Sequence, residues 1–305
     1  MSEAAVPFQR GRAKPSGVRR SDRLTVRDKG CDMVSMGTVW DRTAEFLSDN
    51  LGRLLPLALG AIFVPSAISG SLSGLQQGAA PGLAAGLGLA SLLLAIVTFW
   101  GQLAITALAL DPAIGRGAAR AATRRLPAAL AVTVVLFLAL FLLAIPAGII
   151  LAASGADLSS GAAGTMPQIP AAAAPWLLFY FLVLIPVAVW LGARLLLVAP
   201  VIVGENTMFG AVPRSWALTR GSALRIVGVL ILYAIVAWIA YLAATTAFGA
   251  IITLVAGRGE DGLSIAMVLT GIVGGAVSTA FTVLGTAFTA KLYLALRAAK
   301  EPVPA

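Results

Sequence analysis

The residues able to do acid–base, nucleophilic or metal chemistry are few. Histidine is absent and the single cysteine is Cys31, which removes the commonest general base and metal ligand and excludes an internal disulfide or a cysteine-rich metal site. The 13 acids fall almost wholly in polar stretches, and no paired carboxylates, nucleophile–base spacing or Gly-rich loop ending in Lys-Ser/Thr occurs. The chain therefore reads as not an enzyme, with no catalytic residue, metal or cofactor expected. What remains is a constellation near the end of one apolar run: Arg194, Pro200, Glu205, and then Arg214, Ser215, Trp216, Thr219, Arg220 and Gly221. Arg194 either snorkels, burying its stem and raising its guanidinium to the interface, or pairs with Glu205 just past a bend at Pro200, tying two segments together. Trp216 is an interfacial anchor or, more sharply, a cation–π partner for an arginine or a lipid headgroup. Lys291 reads as an anchor at the end of its helix.

These residues need elements to position them, and the composition says what kind. Of 305 residues 59% are hydrophobic and 11% charged, too little charge to wet the surface of a soluble domain. The apolar residues come in continuous blocks of the length that crosses about 30 Å of hydrocarbon as a helix. Residues 54–72, 82–110, 128–153, 176–197, 226–255 and 263–293 are the expected spans. The fold class is all-α: six transmembrane helices plus amphipathic interfacial helices. Residues 1–36 are polar, basic and aperiodic, and are expected to form a disordered cytoplasmic tail. They contain no apolar stretch of the kind a secretory signal needs. Residues 37–297 form the membrane domain and 298–305 a short cytoplasmic tail.

Orientation follows from the basic residues. Of 22 lysines and arginines, 21 lie on one side of the alternating pattern and one, Arg258, on the other. The positive-inside rule places both termini in the cytoplasm. The net charge of +9 then points to anionic lipid headgroups as partners, and not to nucleic acid.

Three basic segments, 37–53, 114–126 and 208–225, precede apolar helices and have amphipathic character. Val39, Phe46 and Leu47 share a face in the first; Phe209, Val212 and Trp216 recur at helical spacing in the third. Helices of this kind lie in the interface. The chain thus divides into three units of an interfacial helix plus two spans. Either these are parallel repeats about an axis along the membrane normal, or the likeness reflects only the shared composition of positive inner loops. In the last span Gly271, Gly275, Ser278, Thr279, Thr282, Thr286 and Thr289 are spaced for close helix packing; the alternative is a polar pathway lined by their hydroxyls.

The run from Arg194 through Ala199-Pro200 and Glu205 to Arg214-Ser215-Trp216-Ala217-Leu218-Thr219-Arg220-Gly221 resembles the bacterial family named after the membrane domain of glycerophosphoryl diester phosphodiesterase. That family carries an Arg, a Pro, a Glu and a segment reading Arg-Ser-Trp-x-Leu-Thr-x-Gly. The likeness extends over residues 37–297 and is strongest over 194–228; residues 101–127, with Gly-Gln-Leu-Ala-Ile-Thr and then Asp-Pro, share it. Val212-Pro213 departs from it, since proline opposes a continuous helix before Arg214. The resemblance implies a multi-pass membrane module, often standing alone, without the phosphodiesterase chemistry, which belongs to a separate soluble domain. The expected function is a non-catalytic membrane module, lipid-interacting or scaffolding. The alternative is a transporter or channel for a lipid or small solute, with a central polar cavity faced by hydroxyls of the sixth span.

Overall fold

The structure is a computed structural model describing residues 35–76, 79–156, 169–256 and 265–301. Of the disordered tail expected over residues 1–36, residues 1–34 with Cys31 lie outside the described residues, as does Arg258, while Met36 already belongs to the first helix. Within them the chain is helical, and six helices are long and apolar enough to cross a membrane.

An amphipathic helix α1 (Met36–Asp49) comes first. Val39, Thr43 and Phe46 are buried at intervals of three and four, while Arg42, Glu45 and Asp49 are exposed, as one face of a surface helix requires. The first span follows as α2 (Leu51–Ala58), a π turn (Leu59–Phe63) and α3 (Val64–Gln76). The second span is α4 (Pro81–Leu110), opened by a proline where its missing N–H has no helical partner to lose. The third is α5 (Gly117–Ala153). The fourth is broken into α6 (Ala174–Leu195) and α7 (Val198–Glu205). A second short amphipathic helix, α8 (Ala211–Thr219), precedes the last two spans, α9 (Ala223–Ala256) and α10 (Ile265–Lys300).

Spans two to six close a ring in which α4 packs on α5, α5 on α6 and α7, α6 on α9, α9 on α10, and α10 back on α4. The first span lies outside the ring against α4 and α10, and α1 lies along α10. The buried residues are unevenly placed. In α4 they run from Gly101 to Ala109, in α5 from Ala118 to Val132, and the largest fully buried side chains include Leu103, Leu197, Ile202, Leu218, Leu292 and Tyr293. All lie toward the end that carries the arginines. At the other end Leu83, Leu89, Leu92, Phe137, Phe141 and Phe179 are exposed, as lipid-facing side chains of a membrane helix must be.

Two expectations change. The basic segment 114–126 is not a separate interfacial helix: from Gly117 it is the first turns of α5, continuous through Pro127. Its alanines favour helix, Ala118, Ala122 and Ala129 are buried, and Arg116, Arg120 and Arg124 stand exposed at every fourth position. The three units are therefore not alike in this respect, since only α1 and α8 are detached from their spans. The last helix also continues to Lys300, past the boundary expected at 297.

The first span meets α4 at its π turn, where the backbones come very close. A Cβ on Gly101 would lie 2.6 Å from the Cβ of Ala61 and 3.3 Å from its carbonyl oxygen. Small residues at such a crossing are what lets membrane helices gain dispersion energy without clashing. Gly101→Ala is expected to lower stability by about 1–3 kcal/mol through overpacking. Gly86→Ala, where nothing lies within 4 Å, should not; thermal unfolding of the two variants in detergent checks this.

Candidate functional site at the arginine-rich end

The residues singled out in the sequence converge where α6, α7, α8 and α10 meet. Their placement starts with Pro200. It has no N–H for the carbonyl of Leu196 and its ring crowds that carbonyl, and the fourth span breaks there, over Leu196–Leu197, with Pro200 in the first turn of α7. α7 ends at Asn206, whose φ of 58° reverses the chain, and α8 folds back over the end of α6. Pro213 does not interrupt α8. It sits in the first turn, where the backbone N–H groups lack helical acceptors anyway.

Folding back brings Ser215 onto the last turn of α6. Its buried hydroxyl donates to the Arg194 carbonyl at 2.6 Å, a carbonyl that the break leaves without its helical partner. Thr219, also buried, donates to the Ser215 carbonyl at 2.9 Å. Gly221, at φ 88°, makes the left-handed turn from α8 into α9; a side chain there is strained, since only glycine adopts this conformation freely.

Glu205 does not pair with Arg194. Its carboxylate accepts from Arg214 Nε at 3.0 and 3.1 Å and from the Tyr293 hydroxyl at 2.9 Å, so one acid joins α7, α8 and α10. Arg214 also pairs with Glu301, and Arg297 approaches the same carboxylate at 3.6 Å. Tyr293 is 1% exposed and packs so closely on Gly204 that a Cβ there would lie 3.3 Å from its ring. Arg214 holds the Glu301 carboxyl below the usual carboxylate range, and Glu301 contributes most to holding the Arg214 proton more tightly.

Arg194 takes a different partner because α8 presents Trp216 to it. Its guanidinium lies 5.1 Å from the Trp190 ring and 5.2 Å from the Trp216 ring, and these rings meet edge to face at 5.2 Å. It donates to the Trp216 carbonyl at 3.3 Å, while its Nε is buried without a hydrogen-bond partner among the described residues. The cation–π contact of Trp216 is thus with Arg194, across the break, and not with its neighbour Arg214. Lys300 donates to the carbonyls of Ala217 at 2.6 Å and Arg220 at 3.0 Å, capping the negative end of α8.

The charges therefore separate. Glu205 and Glu301 are taken by Arg214 and Arg297, while Arg194, Arg220 and Lys300 have no acidic partner among the described residues. Arg194 and Arg220 are close enough for Lys300 to feel their charge. Beside them Val212, Pro213, Trp216, Ala217 and Arg220 line a shallow depression. The buried face of α8 is Ala211, Ser215, Leu218 and Thr219, so the face bearing Val212 and Trp216 turns outward.

Lys291 donates to the Ala109 carbonyl at 2.8 Å and lies 4.6 Å from the Phe46 ring, so it caps α4 as well as marking a boundary. The sixth-span hydroxyls do face a cavity, one of about 600 Å³ lined in part by Ser278, Thr282, Thr286 and Thr289. Yet Thr282, Thr286 and Thr289 donate to carbonyls of their own helix at 2.7–2.9 Å, which leaves their methyl groups and acceptor lone pairs to the cavity. Among the described residues no group of three or more metal-ligating side chains is assembled. Comparison with protein-family models, with curated proteins and with solved structures finds no match.

Glu205→Gln is expected to lower stability by about 2 kcal/mol, the scale of a charge-assisted hydrogen bond lost at a half-buried site; unchanged thermal unfolding in detergent would remove Glu205 from its structural role. The Glu301 pairing gives a pH dependence of definite sign. A carboxyl depressed in the folded protein adds stability above its unfolded value, about 4.3, and this is lost as pH falls through the lower folded value. Acid unfolding of the wild type below about pH 4 should show a component missing from Glu301→Gln.

Proposed function

We propose that this protein is a non-catalytic, lipid-interacting module of the bacterial cytoplasmic membrane, with both termini cytoplasmic, that holds an anionic headgroup at its arginine-rich face. The observation that carries this reading is the separation of charge around α8. Arg194, Arg220 and Lys300 lie together without an acid, next to an outward Trp216 and a shallow depression. A phosphate diester fits this chemistry: it accepts charge-assisted hydrogen bonds from guanidinium and ammonium groups, and Trp prefers the headgroup depth. The one-sided distribution of 21 basic residues out of 22 supports the orientation. The motif's likeness to the phosphodiesterase membrane-domain family accords with a membrane module that has no chemistry of its own.

Arg214 is unsuited to testing the headgroup, because it holds α8 in place. Arg220 and Lys300 are the better pair, with thermal unfolding of the double variant as the control for the cap that Lys300 places on α8. Native mass spectrometry of the protein purified with its own lipids should find phosphatidylglycerol or another anionic lipid bound to the wild type. Retention should fall roughly tenfold in Arg220→Gln/Lys300→Gln, the factor that loss of one charge-assisted hydrogen bond carries, and should be unchanged in Arg225→Gln. Equal retention in all three would mean that these cations only set orientation.

A further inference from the structure

The cavity is a separate site, about 600 Å³, between α4, α9 and α10. Trp40 of α1 closes its arginine-rich end, its ring 4.5 Å from that of Phe288. At the other end Trp238 and Tyr241 line it while remaining 65% and 41% exposed, so it opens sideways there. Trp238 is fifteen residues into α9, about 22 Å along the helix from the arginine-rich end, and the opening therefore faces hydrocarbon, not headgroups. An occupant entering this way must carry a hydrocarbon portion.

The lining specifies the rest. No charged residue contributes to it, which disfavours an ionic group at this depth. The threonine and Tyr233 hydroxyls donate their protons to backbone carbonyls, Tyr233 to that of Phe281, and so can only accept from an occupant. Gln102, like the smaller hydroxyls of Ser278 and Tyr241, lines the cavity with its side chain free of hydrogen-bond partners among the described residues, and it alone of the three is an amide. An amide offers two donors and an acceptor, and a polar side chain unmatched within a membrane helix is costly unless something meets it. The volume lies in the range of small-molecule sites, which combine apolar walls with a few polar groups.

We infer that the cavity binds a neutral membrane amphiphile, whose uncharged hydrogen-bonding group meets Gln102 and whose hydrocarbon chain leaves past Trp238 and Tyr241. This site does not depend on the anionic headgroup reading at α8. The test titrates monopalmitoylglycerol, and in parallel the anionic lysophosphatidylglycerol of the same chain, into delipidated full-length protein, counting adducts by native mass spectrometry. Expected is a saturable single adduct of the neutral probe, weakened about fivefold to tenfold in Gln102→Leu, the factor of one neutral hydrogen bond. Ala237→Phe, which fills the cavity, should abolish it. Arg220→Gln/Lys300→Gln should leave it unchanged while weakening the anionic probe. If Ala237→Phe fails to fold, Gln102→Leu decides, because leucine matches glutamine in size. Non-saturable uptake, a neutral adduct indifferent to Gln102→Leu, or an anionic probe that displaces the neutral one at equal concentration overturns the proposal.

Discussion

The arginine-rich end is organised by one carboxylate. Glu205 terminates a short helix that exists only because proline breaks the span before it, and it receives hydrogen bonds from one side chain on the folded-back helix and one on the last span. A carboxylate removed from water needs donors at most of its lone pairs. Here Arg214 and Tyr293 supply them, and each comes from a different helix. The requirement that this charge be matched sets where α8 lies, and the position of α8 decides everything around it. It puts Ser215 under an orphaned carbonyl, Trp216 against Arg194, and the carboxy-terminal carbonyls of α8 within reach of Lys300.

A second consequence is the sorting of charge. The two carboxylates beside α8 are both consumed by arginines whose role is to hold helices, and Arg220 and Lys300 are left exposed there without an acidic partner among the described residues. The same short segment thus serves packing with one side and presents positive charge with the other. Proline and glycine matter as much as the charges. Pro200 creates the break, Asn206 the reversal and Gly221 the exit into α9, so the backbone chemistry delivers the side chains to one another.

Much of this was legible in the sequence. The six spans follow from apolar run length, because in a bilayer every backbone group must be satisfied within the helix, and that constraint acts on each segment by itself. The site residues stood out because ionisable groups beside apolar runs are rare. What the sequence did not reveal was who pairs with whom. Arg194 and Glu205 are eleven positions apart on one span and of opposite charge, but the break at Leu196–Leu197 and the reversal at Asn206 are tertiary facts that hand Glu205 to Arg214. The middle basic segment departs from expectation for a related reason: amphipathic patterning shows which face is wet, not whether a helix ends, and the alanines of α5 carry it straight through Pro127. The sixth-span threonines line a cavity, but a hydroxyl can be satisfied by its own helix at i−4, which residue spacing does not reveal. Gln102 carries no sequence signal, because a lone amide in an apolar run has no pattern around it.

The core described above is gathered at one end of the bundle, with little buried at the other. A bundle so built is clamped at one face of the bilayer and free at the opposite face, like a pair of tongs. Bilayers differ in thickness and strain their embedded helices by fractions of a kcal/mol per ångström of mismatch. Such strain is absorbed where resistance is least, by spreading or tilting of the loosely packed ends. The arginine-rich face keeps its geometry while the far half follows the lipid, so the width of the lateral opening at Trp238 becomes a quantity that the surrounding membrane helps to set.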